Sequence, residues 1–191
     1  MKSLLVSIGV VALAEMGDKT QLLAFIMAAR FKRPMIIIVG ILMATLINHG
    51  LAGAVGAWLI AILSPQNLRW ILGVSFIAMG CWTLIPDKIE NDGAKVSMQF
   101  GVLGATFITF FLAEMGDKTQ LATIALTAHY GTPVIIIIGT TIGLLLADIP
   151  AVLLGNKFAD KIPMKLVRGV AASLFVLMGI FTPVEFDKFV A

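Results

Sequence analysis

Charged residues are scarce in this sequence. They make up 13% of its 191 residues, whereas hydrophobic residues make up 59%; soluble domains have about twice that charged share. The mean hydropathy is +1.01. Apolar runs of about 18 or more residues are typical of membrane spans, and we count six such runs. The composition therefore excludes an ordinary soluble domain and predicts an integral membrane protein surrounded by a lipid bilayer.

Several sequence motifs are absent, and each absence excludes a class of function. No GxxxxGK[ST] phosphate loop occurs, so ATP-driven pumping within this chain is not expected. No Ser/His/Asp, HExxH or cysteine-nucleophile arrangement lies in the apolar runs, so we expect no enzyme activity and no bound cofactor. The single Cys81 cannot form an internal disulfide. The net charge of +3 is assigned to cytoplasmic loops and not to nucleic-acid binding.

The apolar runs predict an all-α membrane protein with six transmembrane helices. The breaks between the runs carry proline, asparagine and charged residues, which are typical of turns. The longest break, from Asp87 to Gly93, predicts a short solvated linker. The predicted spans are residues 4–29, 35–62, 69–86, 98–128, 134–154 and 166–183.

A ten-residue segment occurs twice, and this repetition predicts the architecture. Residues 13–22, with the sequence LAEMGDKTQL, are identical to residues 112–121, at an offset of 99. The same offset aligns further pairs, namely Pro34 with Pro133, Gly40 with Gly139, Arg69 with Arg168, Phe76 with Phe175 and Gly80 with Gly179. We therefore predict that the chain is a duplicated three-span unit.

The duplication predicts one transmembrane domain over residues 1–191. Repeat 1 covers about residues 1–86 and repeat 2 about residues 98–185. Because each repeat has an odd number of spans, the second must enter the membrane from the opposite side. Inverted repeats of this kind are common in secondary transporters, whose sites lie near the midplane where the repeats meet.

Acidic residues occur inside the predicted spans, where an ionised group is costly and marks a functional site by default. Five of the eleven carboxylates lie there: Glu15, Asp18, Glu114, Asp117 and Asp148. On a continuous helix, residues three apart share a face, so the glutamate and aspartate of each motif should project together. Gly17 and Gly116 would let the two helices approach closely, or let the backbone open and provide carbonyl oxygens. We predict that the four motif carboxylates form one metal site between spans 1 and 4. Such an oxygen-rich site suits Mg²⁺, Ca²⁺ or Mn²⁺.

Two lysines leave an alternative open. Lys19 and Lys118 each lie four residues after a motif glutamate, so intrahelical Glu–Lys pairs could make the motifs static contacts between helices. The lysines could instead extend toward a membrane interface or keep the glutamates ionised in an empty site. With both lysines paired, the two motifs retain a net charge of about −2, which matches a divalent ion.

Neighbouring polar residues are candidates for supporting roles. Gln21 and Gln120 lie about one turn after the aspartates and could ligate the ion or orient its ligands. Thr20 and Thr119 should point away from the carboxylate face and bond to their own backbone.

Two further polar residues fall near the middle of spans 2 and 5. They are Asn48 and Asp148, which are one position apart in the repeat register. Asp148 precedes Pro150, a predicted kink, and could carry a proton or support a ligand.

At these residues the sequence resembles a known family. Two copies of Glu-x-Gly-Asp-(Lys/Arg)-(Thr/Ser), from Glu15 to Thr20 and from Glu114 to Thr119, resemble those of the cation/proton exchangers that include Golgi manganese and calcium transporters of eukaryotes and manganese exporters of bacteria. The resemblance covers essentially the whole chain, and the compact size resembles a bacterial member in the inner membrane. It implies Mn²⁺ as the transported ion, Ca²⁺ as the alternative, and proton exchange as the driving force.

The expected mechanism is alternating access around a fixed midplane site. Ionised carboxylates bind the metal from the cytoplasm, and protonation releases it on the other side. Desolvation and crowding of like charges both favour a protonated carboxylate. Two alternatives remain: an exporter of a small organic cation such as a basic amino acid, and a non-transporting membrane scaffold. The oligomeric state is left open.

The distribution of basic residues predicts the orientation. Nine lysines and arginines follow spans 1, 3 and 5, and three lie on the opposite side. Since cytoplasmic loops are enriched in these residues, we expect both termini outside the cytoplasm. Alkaline phosphatase fused to the C-terminus should be active, and green fluorescent protein fused there should be dark. Fused after Lys88, alkaline phosphatase should be inactive and green fluorescent protein should fluoresce. A fluorescent C-terminal fusion would contradict this orientation.

Overall fold

Helices account for all the regular secondary structure in the described part of the chain. The computed structural model describes residues 1–85, 101–154 and 164–190. Its eight helices are α1 (Lys2–Glu15), α2 (Lys19–Phe31), α3 (Pro34–Ile62), α4 (Pro65–Thr83), α5 (Gly101–Glu114), α6 (Lys118–Tyr130), α7 (Pro133–Leu154) and α8 (Met164–Val190). The predicted all-α class is confirmed. The predicted linker from Asp87 to Gly93 lies outside the described residues.

The two halves of the chain build the same series of helices. Each helix of the second half begins 99 residues after its counterpart in the first half, which is the offset of the sequence repeat. Thus α5 corresponds to α1, α6 to α2, α7 to α3 and α8 to α4. The first two helices of each half also match in length, with 14 and 13 residues.

The first and fourth predicted spans are not continuous helices, and this part of the prediction was wrong. Each is divided at the duplicated motif: α1 ends at Glu15 and α2 begins at Lys19, while α5 ends at Glu114 and α6 begins at Lys118. The glutamate and the aspartate of one motif therefore do not share a helix face.

The glycine and aspartate of each motif produce this break. Gly17 has φ of 78° and Gly116 has φ of 74°, a left-handed conformation that glycine adopts readily and that commonly ends a helix. Asp18 and Asp117 follow in extended conformation, immediately before the next helix, and neither makes a side-chain capping hydrogen bond. Gly-Asp is thus a helix stop followed by a helix start, placed inside an apolar run that otherwise indicates one long helix.

Helices of one half pack mainly on helices of the other. α1 lies against α7 and α3 against α5, while α3 also contacts α7. A Cβ atom at Gly40 would come within 2.8 Å of Thr106, and one at Gly139 would collide with Ser7. The two contacts are related by the 99-residue offset, so the same close approach of a glycine to a small side chain occurs twice.

The remaining two helices, α4 and α8, pair with each other. Phe76 on α4 and its repeat counterpart Phe175 on α8 are fully buried, with ring centroids 6.5 Å apart. α4 also packs against α6, and α8 packs against α1. The pair therefore covers the side of the bundle that α1 and α6 form.

The outer surface of the bundle is apolar. Exposed side chains include Leu51 and Trp58 on α3 and Leu146 and Leu153 on α7. α3 and residues 133–153 of α7 are long and apolar enough to cross a membrane. The carboxylates and threonines of the motifs are instead buried, which is the reverse of the usual distribution in a soluble protein and fits a lipid environment.

The close packing of α7 on α1 makes Gly143 a sensitive position. A Cβ atom there would lie 2.7 Å from the Ile8 carbonyl oxygen and 3.0 Å from the Ala12 nitrogen. We expect Gly143→Ala to destabilise the protein by about 1–3 kcal/mol, as overpacking typically does.

Gly50→Ala on α3 is the matched control, since nothing lies within 4 Å of a Cβ atom there. It should be neutral or stabilise the helix by about 0.5–1 kcal/mol. Thermal unfolding in detergent, followed by circular dichroism, compares the two variants. Equal losses of stability would contradict the packing described here.

Candidate metal centre

The two helix breaks bring carboxylates of both repeats together. Glu15 is the last residue of α1, Glu114 is the last residue of α5, and Asp117 precedes α6. One carboxylate oxygen from each lies within 4.8 Å of the other two. All three side chains are buried, with at most 3% of each residue exposed. The tertiary structure thus assembles three of the four predicted ligands at one point.

The donor atoms of this group fit a hard or borderline divalent cation. Oε1 of Glu15, Oε1 of Glu114 and Oδ2 of Asp117 are buried and accept no hydrogen bond from the described residues. Buried polar atoms of this kind require an explanation such as an ion or a water molecule. Carboxylate oxygens are the ligands that Mg²⁺, Ca²⁺ and Mn²⁺ prefer.

The fourth predicted ligand, Asp18, is also buried, but it is not among the three grouped carboxylates and forms an ion pair. Its Oδ1 lies 3.0 Å from Nζ of Lys118. On the other side, Nζ of Lys19 lies 3.5 Å from Oδ1 of Asp117. Each of these lysines therefore pairs with an aspartate of the opposite repeat. These cross-repeat pairs differ from the intrahelical Glu–Lys pairs that the sequence allows as one alternative, because the helix break separates each glutamate from the lysine four residues later.

The threonines of the motifs point toward the carboxylates and not away from them, contrary to prediction. The Thr20 hydroxyl donates a 2.6 Å hydrogen bond to Oε2 of Glu15, and the Thr119 hydroxyl donates a 3.0 Å bond to Oε2 of Glu114. Each glutamate thus has one oxygen held by a threonine, which fixes its orientation. The prediction failed because it assumed an unbroken helix.

The glutamines satisfy the backbone at the breaks. Gln21 Oε1 accepts from the Gly17 amide at 3.1 Å, and Gln120 Oε1 accepts from the Gly116 amide at 2.8 Å. Gln21 also donates from Nε2 to the Ala147 carbonyl at 2.9 Å. Since a helix break leaves amides without intrahelical partners, this geometry favours a supporting role for the glutamines over direct ligation.

Asn48 and Asp148 lie on the two long helices next to the breaks. Asn48 donates from Nδ2 to the Phe111 carbonyl at 3.0 Å, in the last turns of α5. Asp148 is fully buried on α7, and its oxygens have no hydrogen-bond partner among the described residues. It lies close enough to Glu15 and Glu114 to interact with both electrostatically. Asp148 thus adds a fifth carboxylate near the site.

Comparisons with known proteins agree on one family. The family described as divalent cation/proton antiporter GDT1 matches the chain at residues 3–91 and 102–187. A protein of Vibrio cholerae serotype O1 named "Putative manganese exporter" is 50% identical over 183 residues, which cover 95% of this chain and 90% of that protein. No solved structure gives a significant match.

More distant relatives come from plants. GDT1-like protein 5 of Arabidopsis thaliana is 28% identical, with 94% of this chain and 95% of that protein covered. GDT1-like protein 3 of Oryza sativa subsp. indica is 26% identical over 91% of this chain and 71% of that protein. The similarity therefore extends over nearly the full length of the chain.

The threonine hydrogen bonds predict a difference between two buried threonines of α6. Thr119→Val removes the donor to Glu114, so we expect a loss of about 1–3 kcal/mol in stability. Thr123→Val is the control, since the Thr123 hydroxyl donates only within its own helix, to the Thr119 carbonyl at 2.8 Å, and should cost less. Unfolding by dodecyl sulfate in mixed micelles measures both. A Thr123→Val variant as unstable as Thr119→Val would argue against a stabilising role for the hydrogen bond from Thr119 to Glu114.

Proposed function

Because the chain belongs to the GDT1 family of divalent cation/proton antiporters, we propose that it exports Mn²⁺ from the cytoplasm in exchange for protons. Ca²⁺ is the alternative cargo. The family consists of transporters and not of enzymes, in agreement with the absence of catalytic motifs from the sequence. Divalent cations and protons are substrates of this activity, and no cofactor takes part.

One observation carries the assignment of the cation site. Three buried carboxylates, Glu15, Glu114 and Asp117, place oxygens within 4.8 Å of one another. Like charges so close in a poorly solvated region repel strongly unless a cation or protons neutralise them. We assign these three residues as direct ligands, with Asp18 as the fourth carboxylate of the site. The name of the Vibrio cholerae relative supports Mn²⁺ over Ca²⁺ as the cargo.

We further propose that the eight helices form six membrane spans in two inverted repeats. Spans 1 and 4 then consist of the helix pairs α1–α2 and α5–α6, each broken at its motif. Non-helical backbone at membrane depth is tolerated where it is buried or lines a cavity, and broken helices carry the ion sites of many secondary transporters. The packing between the repeats supports this arrangement, because α1 of the first repeat lies on α7 of the second and α3 of the first lies on α5 of the second.

The charges of the site support an exchange mechanism. Four motif carboxylates and two lysines leave a net charge of about −2 when all are ionised, which one divalent cation neutralises. On the outer side, protons replace the cation and allow the site to return without it. Asp148, fully buried beside the site, is proposed to take up a proton in this cycle. The expected membrane is the bacterial inner membrane, with both termini outside the cytoplasm.

Removal of one ligand charge tests the site. We expect Glu15→Gln, Glu114→Gln and Asp117→Asn to weaken Mn²⁺ binding by about 100-fold or more, since even supporting residues of metal sites typically contribute about 10- to 100-fold. Isothermal titration of purified protein measures the affinity, and competition by Ca²⁺ and Mg²⁺ ranks the ions.

Asp87→Asn, which removes a carboxylate from the sequence between the two repeats, is the matched control. It should bind Mn²⁺ like the unmodified protein. Normal Mn²⁺ binding and transport by the three site variants would remove the metal-site assignment and favour a scaffold. Saturable binding of a basic amino acid in place of Mn²⁺ would favour the organic-cation alternative.

Proton exchange is tested in proteoliposomes that contain a pH-sensitive dye. Because protons and Mn²⁺ compete for the same carboxylates, Mn²⁺ uptake should release protons from the lumen. A lumen that is more acidic than the outside should accelerate Mn²⁺ uptake. Liposomes with Asp117→Asn protein should show neither signal. A rate of Mn²⁺ transport that is the same with and without a pH gradient would exclude the exchange mechanism.

A further inference from the structure

The two lysines beside the site have identical sequence surroundings but different environments. Lys19 and Lys118 occupy the same place in the duplicated LAEMGDKTQL segment. The Lys118 side chain is 5% exposed and its Nζ lies 3.0 Å from Asp18, whereas the Lys19 side chain is 29% exposed and its Nζ lies 3.5 Å from Asp117. Because the local sequences are the same, the difference comes from the tertiary structure around them.

The two aspartates also differ in their relation to the metal site. Asp117 belongs to the group of three carboxylates whose oxygens lie within 4.8 Å of one another, and its partner is the more exposed Lys19. Asp18 is paired with the buried Lys118. The longer and more exposed of the two ion pairs therefore contains the ligand that a cation must share or take over.

We propose that Lys19 is a tethered counter-ion that the transported cation displaces from Asp117, whereas Lys118 stays bound to Asp18 throughout. This inference rests on the proposed function and assigns a separate role in it to each lysine. In the empty site the Lys19 ammonium offsets part of the negative charge of Glu15, Glu114 and Asp117. When the cation arrives, the flexible Lys19 side chain moves toward its exposed side and leaves Oδ1 of Asp117 to the ion.

Physical differences between the pairs support opposite roles. The Lys19 pair is the longer one, at 3.5 Å, and its lysine side chain is the more exposed, so its separation should cost less than that of a fully enclosed pair. A buried pair is costly to break, because separation leaves an uncompensated charge in a poorly solvated place. Displacement of Lys19 is thus compatible with reversible binding, whereas displacement of Lys118 would strand Asp18.

Lys19→Met and Lys118→Met form a matched pair of variants, since methionine keeps much of the apolar stem and removes the charge. We expect Lys19→Met to bind Mn²⁺ about tenfold more tightly, a change of about 1.4 kcal/mol, because the competing cation is gone. Its transport should slow, because the empty site has lost its counter-ion. Lys118→Met should bind Mn²⁺ no more tightly than the unmodified protein and unfold at a lower temperature.

Titration calorimetry, thermal unfolding and liposome uptake of both variants and of Lys19→Arg test the inference. Lys19→Arg should restore the affinity of the unmodified protein. Mn²⁺ binding by the unmodified protein together with weaker binding by Lys19→Met would overturn the role of Lys19 and leave the proposed function intact. Tighter binding by both methionine variants would overturn the distinction between the lysines. Absence of Mn²⁺ binding to the unmodified protein would overturn the proposed function and this inference with it.

An accessibility measurement tests the same inference in a background with Cys81→Ser. A membrane-impermeant thiol reagent should modify Lys19→Cys faster than Lys118→Cys, because the Lys19 side chain is 29% exposed and the Lys118 side chain is 5% exposed. The readout does not depend on Mn²⁺ affinity. Equal modification rates at the two positions would contradict the different environments on which the inference depends.

Discussion

The burial of negative charge between the two helix breaks is the constraint on which the rest of this structure depends. Glu15, Asp18, Glu114, Asp117 and Asp148 are all less than 5% exposed in a bundle whose outer surface is apolar. Ionised carboxylates in such a place are stable only with counter-charges and hydrogen-bond donors. Two cross-repeat lysines provide part of that charge, and two threonine hydroxyls provide donors. We propose that the remaining imbalance gives the site its affinity for a cation.

The helix breaks make this arrangement possible. A continuous helix would place each glutamate and aspartate on one face and keep each lysine beside its own glutamate. With the break, the glutamate ends one helix, the aspartate immediately precedes the next helix, and the lysine reaches the opposite repeat. The cost of the break is limited because Gly17 and Gly116 adopt the left-handed conformation readily and because Gln21 and Gln120 accept hydrogen bonds from their amides. The motif thus carries its own backbone support along with the proposed ligands.

Much of the fold and part of the site could be predicted from particular residues. Pro34, Pro65 and Pro133 begin helices, close to where the apolar runs suggested, and the 99-residue offset recurs in the helix boundaries. The clustering of acidic residues was expected from the cost of burying them. The Gly-Asp break was only one of two roles open to Gly17 and Gly116, because a 26-residue apolar pattern favoured one long helix over a two-residue signal. The orientation expected for Thr20 and Thr119 followed from the assumption of a continuous helix and failed with it, whereas the roles of the two lysines were left open.

The sequence by itself determined the chemistry of this protein: a membrane-compatible composition, two copies of one acidic motif and the repeat that relates them. These are properties of residue type and order, which do not depend on how the helices pack. Only the tertiary structure decided which atoms meet. The oxygens of Glu15, Glu114 and Asp117 converge, while Asp18 and Asp117 pair with different lysines in unequal surroundings. Two identical segments can differ in this way because burial and long-range contacts belong to the packed molecule, and the helices around each copy are not the same.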